Sequence, residues 1–252
     1  TGNFLFRTRE FEQMELEFFI YPGENEKSLD YWCKERLNWF KKLGINPKKL
    51  RLRPHDKDEL AHYSTACFDV EYEFPFGWSE LEGIADRGTF DLDQHNEYSG
   101  KKQQYFDPQT NERIIPAVVE SSAGVDRTFL TCLVDAYCEE EVRDEKRIVL
   151  KLDPKIAPIT CAVFPLVKKD GLPEIAQKIV EDIRTKYSAF FDQGGSIGRR
   201  YRRQDEAGTP YGVTVDHQTT EDGTVTLRDR DTMDQVRIST DNILSELQSR
   251  IQ

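Results

Sequence analysis

The segment Glu120-Ser121-Ser122-Ala123-Gly124-Val125-Asp126-Arg127 lies between a short apolar run and a run of residues with helical spacing. Residues 114–119 have the composition of a buried strand, and residues 128–137 repeat apolar side chains at helical intervals. The segment therefore predicts a strand-to-helix junction, where backbone N–H groups and the positive end of a helix dipole can bind an anion. The spacing alone favours a simpler interpretation, in which Ser122 caps the helix and Arg127 is solvated.

Length and composition limit the class of protein. The chain has 252 residues, 37% of them hydrophobic, and no apolar run long enough to span a membrane, which predicts a soluble protein with one or two domains. It has neither an initial Met nor a signal-like segment, so we expect it to be a piece of a longer chain. The five cysteines form no C-x-x-C pair, which indicates neither a zinc site nor a disulfide framework and favours a reducing, cytoplasmic location.

The first part of the chain alternates apolar and charged residues. Residues 4–20 predict one extended strand, with Arg7 and Arg9 at one end of a face and Glu15 and Glu17 at the other. Such a strand is either a half-exposed sheet strand or the base of a site for an anion and a cation, and the periodicity leaves both interpretations open.

Two more strands and a helix are predicted before a domain boundary. Residues 27–43 predict an amphipathic helix, and residues 67–74 and 79–87 predict paired strands. The acids of these strands either hold magnesium and an ammonium group or form a solvated face. The charge run at residues 139–147 predicts a solvated linker, with the boundary after residue 147.

The pattern changes beyond that boundary. Residues 1–147 carry 20 Lys and Arg against 30 Asp and Glu, whereas residues 148–252 carry 15 against 16. Apolar strands alternate with amphipathic helices in the second part, which predicts a compact domain with a mixed sheet. Strands are predicted at residues 159–167, 189–191, 211–215, 223–228 and 235–238, and helices at residues 174–187, 197–204 and 240–251.

Four motifs carry a resemblance to a known family. FRTREFEQMELEFF (residues 6–19), GWSELEGIADR (77–87), ESSAGVDRTFL (120–130) and GGSIGRRYRRQDEAGTPYGVTVD (194–216) resemble the homodimeric class II glycyl-tRNA synthetases, in the family's order. The resemblance implies an α+β and α/β fold. A partial class II antiparallel-sheet catalytic core, residues 1–147, contains motif 2 and motif 3, and a mixed-sheet anticodon-binding domain follows at residues 148–252.

The resemblance also implies site residues for ATP. Arg7 of motif 2 would contact the α-phosphate, Arg127 of motif 3 would contact the γ-phosphate, and both are the catalytic candidates. Glu80 could help to hold Mg²⁺. The ATP-binding candidates are Phe6, Arg7, Thr8, Arg9, Glu10, Phe11, Glu80, Leu81, Gly124, Val125, Asp126 and Arg127.

Glycine would bind beside ATP, with Glu15 receiving its ammonium group and with Glu120 and Ser122 lining its pocket. The glycine-binding candidates implied by the resemblance are Phe11, Glu12, Gln13, Met14, Glu15, Glu120, Ser121, Ser122, Ala123 and Gly124. Ser121 stands where many members of the family have proline, and we expect little consequence.

The activity implied is ATP-dependent attachment of glycine to tRNA(Gly) through a glycyl-adenylate, by a homodimeric enzyme with no membrane or DNA partner. Motif 1 and the first strand of motif 2 are absent from this chain, so we expect the segment alone to be inactive. A non-catalytic synthetase-like binding protein would lose the phosphate arginines and the glycine acids, which are present here. A prolyl, threonyl or histidyl synthetase is the other alternative.

The basic run of the second domain has two interpretations. Arg199, Arg200, Arg202 and Arg203 form either a solvated helix face or, within the anticodon-domain resemblance, a contact for tRNA phosphates. Tyr201 or Phe191 could stack on a base.

Overall fold

The computed structural model describes residues 1–142 and 144–251. The chain forms two compact units, Thr1–Asp135 (unit 1) and Ala136–Gln252 (unit 2). The division between the two units falls at residue 135, before the boundary predicted at residue 147. Within the described ranges, none of the helices combines the length and the apolar character that a membrane crossing requires.

Unit 1 is built on a five-stranded antiparallel sheet with the strand order β1-β7-β4-β3-β2. Its strands are β1 (Gln13–Ile20), β2 (Leu50–Pro54), β3 (Ala66–Phe74), β4 (Gly77–Gly88) and β7 (Ala117–Gly124), and a separate hairpin contains β5 (Tyr105–Asp107) and β6 (Glu112–Ile114). Its helices are α1 (Asn25–Lys42), α2 (Phe90–Ser99) and α3 (Val125–Ala136), with 3₁₀ turns at Phe4–Phe6 and Pro47–Lys49.

The two faces of this sheet differ in polarity because the side chains alternate along each strand. One face carries apolar residues that form a core with α1, including Phe40, Ile84 and Val119. The opposite face carries mainly polar and charged residues from all five strands. Five of the predicted site residues lie on this polar face, namely Gln13, Glu15, Glu120, Ser122 and Gly124.

The prediction of a single strand over residues 4–20 is wrong. Phe4–Phe6 form a 3₁₀ turn, and β1 begins only at Gln13. Asn3 and Phe4 have positive φ values of 50° and 56°, and Gly2 and Arg7 exchange two backbone hydrogen bonds, so the chain reverses here. The reversal lets the Phe6 ring pack edge-on against Phe74 and Phe76.

The strand-to-helix junction exists, but it lies further along the chain than a cap at Ser122 requires. β7 continues through Gly124, and α3 begins at Val125, whose N–H donates to the Glu12 carbonyl at 2.9 Å. Ser122 is therefore a strand residue, and the prediction that it caps the helix is wrong.

Unit 2 contains a mixed five-stranded sheet with the order β11-β10-β12-β13-β14, which confirms the predicted fold class. Its strands are β8 (Tyr137–Val142), β9 (Glu145–Leu150), β10 (Cys161–Pro165), β11 (Ala189–Phe191), β12 (Tyr211–Val215), β13 (Thr224–Asp229) and β14 (Gln235–Ser239). Its helices are α4 (Leu172–Arg184), α5 (Ile197–Ala207), α6 (His217–Asp222) and α7 (Ile243–Ile251), which follows a 3₁₀ turn at Thr240–Asn242.

Within the charge run, residues 139–142 and 145–147 lie in two paired strands, so the prediction of a solvated linker there is wrong. β8 and β9 pair antiparallel, from Val142 opposite Glu145 to Tyr137 opposite Leu150. Lys146 pairs with Glu139 at 2.7 Å, and Arg147 pairs with Glu140. Opposite charges thus face each other across the two strands and stabilise the pairing.

Gly212, in the central strand β12, tests the packing of unit 2. A Cβ at this position would lie 2.6 Å from Cε1 of Tyr201 and 3.2 Å from Phe164, both of which are ring atoms held by the surrounding structure. We expect Gly212→Ala to destabilise unit 2 by about 1–3 kcal/mol through overpacking. Gly198→Ala is the matched control, because that helical position has open space and alanine should stabilise it by about 0.5–1 kcal/mol. Urea unfolding followed by far-UV circular dichroism measures both, and equal effects would contradict the packing described here.

Candidate active site

A cavity of about 330 Å³ lies at the end of β7 where α3 begins, and we name it the Arg127 cavity. It brings together the two predicted catalytic arginines and much of the predicted ATP-binding set. Its lining residues are Leu5, Phe6, Arg7, Thr8, Phe11, Gln13, Glu80, Leu81, Ser122, Gly124, Asp126 and Arg127. Residues from the 3₁₀ turn, β1, β4, β7 and α3 therefore converge on one space.

Arg127 is fixed in this cavity by three groups. Its Nε donates to the Phe6 carbonyl at 3.1 Å, and its Nη1 donates to the Glu80 carbonyl at 3.1 Å. Its guanidinium carbon lies 4.4 Å from the centroid of the Phe6 ring. The side chain is held by backbone acceptors and an aromatic face, so its guanidinium is fixed in the cavity.

Glu80 is an exposed carboxylate beside this guanidinium, with 3.3 Å between its Oε2 and Nη1 of Arg127. A hard divalent cation prefers carboxylate oxygens and keeps several waters. An accessible carboxylate next to an arginine fits the predicted Mg²⁺ site, and Glu80 would help to hold that ion.

The neighbouring part of the polar face is acidic. β1 and β7 pair so that Glu15 lies opposite Ser122 and Glu17 lies opposite Glu120. The Ser122 hydroxyl accepts a hydrogen bond from the Gln13 amide. Three carboxylates thus share one face of two adjacent strands, and this arrangement can bind an ammonium group.

Arg87 counters part of this negative charge, and sequence reasoning missed its role. Its Nη1 donates to Glu120 at 2.6 Å, its Nε donates to Asp91 at 2.6 Å, and its guanidinium carbon lies 4.1 Å from the centroid of the Tyr63 ring. The arginine holds the Glu120 carboxylate in place. Its place at the end of the GIADR motif was the available signal, but only the register of β4 against β7 brings it to Glu120.

The strand alternation corrects two of the predicted glycine contacts. Glu120, Ser122 and Gly124 face the polar side, whereas Ser121 and Ala123 are buried on the core side. The Ser121 hydroxyl donates to the buried Glu82 carboxylate. The side chains of Ser121 and Ala123 therefore cannot line a pocket on the polar face.

Several other predicted residues lie outside the Arg127 cavity. Arg9, Glu10 and Val125 are absent from its lining, and Met14 pairs with Ala123 on the opposite face from Glu15. Glu12 contributes its backbone carbonyl to the start of α3.

The paired carboxylates make stability depend on pH. Partial burial and the facing Glu120 raise the pKa of Glu17 from 4.5 to about 7. Between these values the folded protein holds more protons than the unfolded chain, so the free energy of unfolding falls as the pH rises. Because solvent screens this exposed group, we expect the free energy of unfolding to fall by less than about 1 kcal/mol.

Melting temperatures of the wild type and Glu17→Gln between pH 4.5 and 8 measure this effect. Glu17→Gln should lose this decline in stability and should be more stable than the wild type at the upper end of the pH range. Glu73→Gln, at an exposed glutamate of β3, should keep the wild-type profile. A profile of Glu17→Gln that follows the wild type would contradict the carboxylate coupling.

The basic run predicted for tRNA lies on α5 and divides into two groups. Arg200 is 3% exposed, and its guanidinium donates to the carbonyls of Pro165 and Gly195, so its placement does not fit a phosphate contact. Arg199 and Arg203 are exposed, and Arg203 pairs with Asp192.

Tyr201 does not fit the base-stacking prediction. Its ring packs edge-on against Phe164 with 4.9 Å between the centroids, and its hydroxyl shares a hydrogen bond of 2.6 Å with Thr214. The ring belongs to the packing between α5 and the sheet.

An antiparallel sheet with motif 2 and motif 3 residues on its polar face, followed by a mixed-sheet domain, agrees with the fold that the resemblance to class II aminoacyl-tRNA synthetases implies. The family model described as "Anticodon binding domain" matches residues 160–250.

The particular resemblance is to glycyl-tRNA synthetase. The chain is 55% identical over 250 residues to the glycine–tRNA ligase of Caldanaerobacter subterraneus subsp. tengcongensis, covering 99% of this chain and 54% of that protein. It is 50% identical to that of Treponema denticola over 257 residues (100% and 57%) and 51% identical to that of Thermobifida fusca over 258 residues (99% and 56%). These similarities confirm the resemblance seen in the motifs. The chain spans about half the length of the curated relatives that it matches.

Proposed function

We propose that this chain carries the glycine and ATP site, and the anticodon-binding domain, of a glycine–tRNA ligase. The reaction is the ATP-dependent attachment of glycine to tRNA(Gly) through a glycyl-adenylate. The observation that carries the proposal is the Arg127 cavity, where two arginines adjoin the acidic face of β1 and β7. The matched relatives are glycine–tRNA ligases, which favours this function over that of a prolyl, threonyl or histidyl enzyme and over that of a binding protein.

Activation requires positive charge along the triphosphate and accurate positioning, with no nucleophile from the protein. A carboxylate oxygen of glycine attacks the α-phosphorus, and the bond from that phosphorus to the leaving pyrophosphate breaks. Arg7 would bind the α-phosphate and Arg127 the γ-phosphate, since a planar guanidinium binds two phosphate oxygens at once. Mg²⁺ held by Glu80 would neutralise charge on the phosphates.

The acidic face would hold the amino acid in position for that attack. Glu15 and Glu120 would accept hydrogen bonds from the ammonium group, with Ser122 beside them. Arg87 keeps Glu120 in place at 2.6 Å and limits the repulsion between the carboxylates. A pocket that excludes side chains by size discriminates well against larger amino acids, so glycine needs no editing step.

The exposed Arg199 and Arg203 of α5 would contact tRNA phosphates, together with the half-buried Arg202, whose Nη1 lies 3.7 Å from Oδ2 of Asp205. Replacing Arg199, Arg202 and Arg203 together with alanine in the full-length protein should weaken tRNA(Gly) binding. Each lost phosphate contact should reduce the slope of log K against log salt concentration by about 0.7–0.9. Lys168→Ala, at an exposed cation outside α5, is the control. An unchanged slope in the triple variant would count against the phosphate contact.

The free edge of the sheet of unit 1 supports a further proposal. β1 has β7 as its neighbour on one side, and within the described residues no strand pairs with its other edge, along which Phe19 and Tyr21 are exposed. Because Glu15 and its strand lie open to solvent, we propose that the 252-residue chain alone does not activate glycine and that the enzyme functions as a homodimer. We also propose that it functions in the cytoplasm.

The test is aminoacylation of tRNA(Gly) with labelled glycine by the full-length protein, compared with Glu15→Gln. The wild type should charge the tRNA, and the variant should require much more glycine while its KM for ATP changes little. An equal rise in both KM values would contradict the role of Glu15, and the absence of charging by the wild type would overturn the proposed function.

A further inference from the structure

A second cavity of about 380 Å³ opens on the polar face of the sheet of unit 1, next to the proposed glycine site. We name it the Cys67 cavity. Gly83 and Ala85 of β4 form its base and separate β3 from β7. Because these two side chains are small, the space between Cys67 and Ser122 is not filled by protein.

Three potential metal ligands meet on one side of this cavity. Cys67 and Asp69 alternate on β3 and therefore face the same side of the sheet. His55 follows the end of β2. Its backbone N–H donates to the backbone carbonyl of Cys67 at 2.9 Å, which fixes the two residues side by side. One ligand atom from each of His55, Cys67 and Asp69 lies within 4.8 Å of the others.

The His55 ring places a buried nitrogen in this cluster without a hydrogen bond. Its Nε2 lies 2.9 Å from Oδ1 of Asp69. Yet among the described residues no group forms a hydrogen bond of acceptable geometry with this atom. A lone pair directed at a metal ion beside the carboxylate would account for the absence of a hydrogen bond.

Arg53 orients the carboxylate of the cluster. Its Nη2 donates to Oδ2 of Asp69 at 2.8 Å, so that Oδ1 is the oxygen left facing His55. Outer groups of this kind commonly fix the ligands of a metal. The charge of Arg53 is already met by Glu59 and Glu71, and Glu80 and Glu120 add negative charge to the cavity.

We infer that His55, Cys67 and Asp69 bind a divalent transition-metal ion of the zinc type, with the fourth coordination position open to the Cys67 cavity. Thiolate, imidazole and carboxylate are ligands that Zn²⁺ takes together, and three protein ligands leave one position for water. Cys67 would bind as a thiolate, and its proton would pass to the solvent. This site is distinct from the proposed Mg²⁺ position at Glu80 and does not depend on the proposed reaction.

The test uses the 252-residue chain after treatment with a chelator. Titration with Co²⁺ should give one equivalent bound, with a thiolate-to-cobalt charge-transfer band and visible bands of a tetrahedral site, and Zn²⁺ should displace it. Cys67→Ser should abolish the charge-transfer band, and His55→Gln should weaken binding at least tenfold. Cys132→Ser, at a half-buried cysteine of α3, should leave both unchanged.

Thermal unfolding with and without Zn²⁺ gives a second readout, since a ligand that binds only the folded state raises the melting temperature. The wild type and Cys132→Ser should gain stability, and Cys67→Ser should gain none, with far-UV circular dichroism confirming that each variant is folded. A wild type that binds no Co²⁺, or a charge-transfer band that persists in Cys67→Ser, would overturn the inference.

Discussion

Arg127→Ala in the full-length protein is expected to reduce glycine-dependent ATP–pyrophosphate exchange by about 10²- to 10³-fold, the loss that follows when one preorganised donor to developing charge is removed. Arg127 lines the proposed ATP cavity and is held by two backbone carbonyls and the Phe6 ring. Its guanidinium therefore needs little reorganisation to meet a phosphate.

Arg127→Lys separates charge from geometry. A lysine keeps the positive charge but loses the planar fork and the stacking on Phe6, so we expect it to recover only a small part of the activity. Arg113→Ala is the matched control, because Arg113 is an exposed arginine of the same unit that contacts an aromatic ring, Phe106, outside the cavity. Wild-type exchange by Arg127→Ala would refute the role of this residue in ATP binding.

Asp205→Ala is expected to lower the free energy of unfolding of unit 2 by about 3–5 kcal/mol. Asp205 is 1% exposed and accepts hydrogen bonds from Arg147 Nε at 3.0 Å and Arg228 Nη1 at 2.9 Å. Arg147 is fully buried and Arg228 is 7% exposed. Removal of the shared carboxylate leaves the buried Arg228 guanidinium without the carboxylate that it pairs with, and it leaves Arg147 with Glu140 alone.

Urea unfolding of the 252-residue chain measures this loss. All three tryptophans (Trp32, Trp39 and Trp78) belong to unit 1, so their fluorescence reports on that unit, whereas far-UV circular dichroism also reports on unit 2. Glu246→Ala, which breaks an exposed pair with Arg250, should change stability by less than about 0.5 kcal/mol. Equal effects of Asp205→Ala and Glu246→Ala would show that the buried network contributes little.

Local periodicity predicted most elements of both units, because each strand and helix buries one face and so repeats its apolar residues. It failed at residues 4–20, where the turn depends on the positive φ of Asn3 and Phe4 and on contacts of Phe6 with distant rings. It also failed at the 139–147 run, because composition does not reveal that Arg147 is buried against Asp205.

The site was predicted in part, for a similar reason. Motif resemblance assigned the ends of the Arg127 cavity, since Arg7, Glu80 and Arg127 lie in separate motifs that the fold brings together. The resemblance also assigned Ser121 to the glycine site, although strand alternation turns that side chain to the core. The ion pair between Arg87 and Glu120 and the cluster around Cys67 depend on strand register, which the spacing of residues along the chain does not reveal.

The most direct test of the proposed glycine and ATP site is ATP–pyrophosphate exchange by the full-length protein with glycine, proline, threonine and histidine offered separately. We predict exchange with glycine and none above background with the other three, and none with any amino acid for the 252-residue chain alone. Exchange by the full-length protein with another amino acid in preference to glycine, or with none of the four, would contradict this assignment of the site.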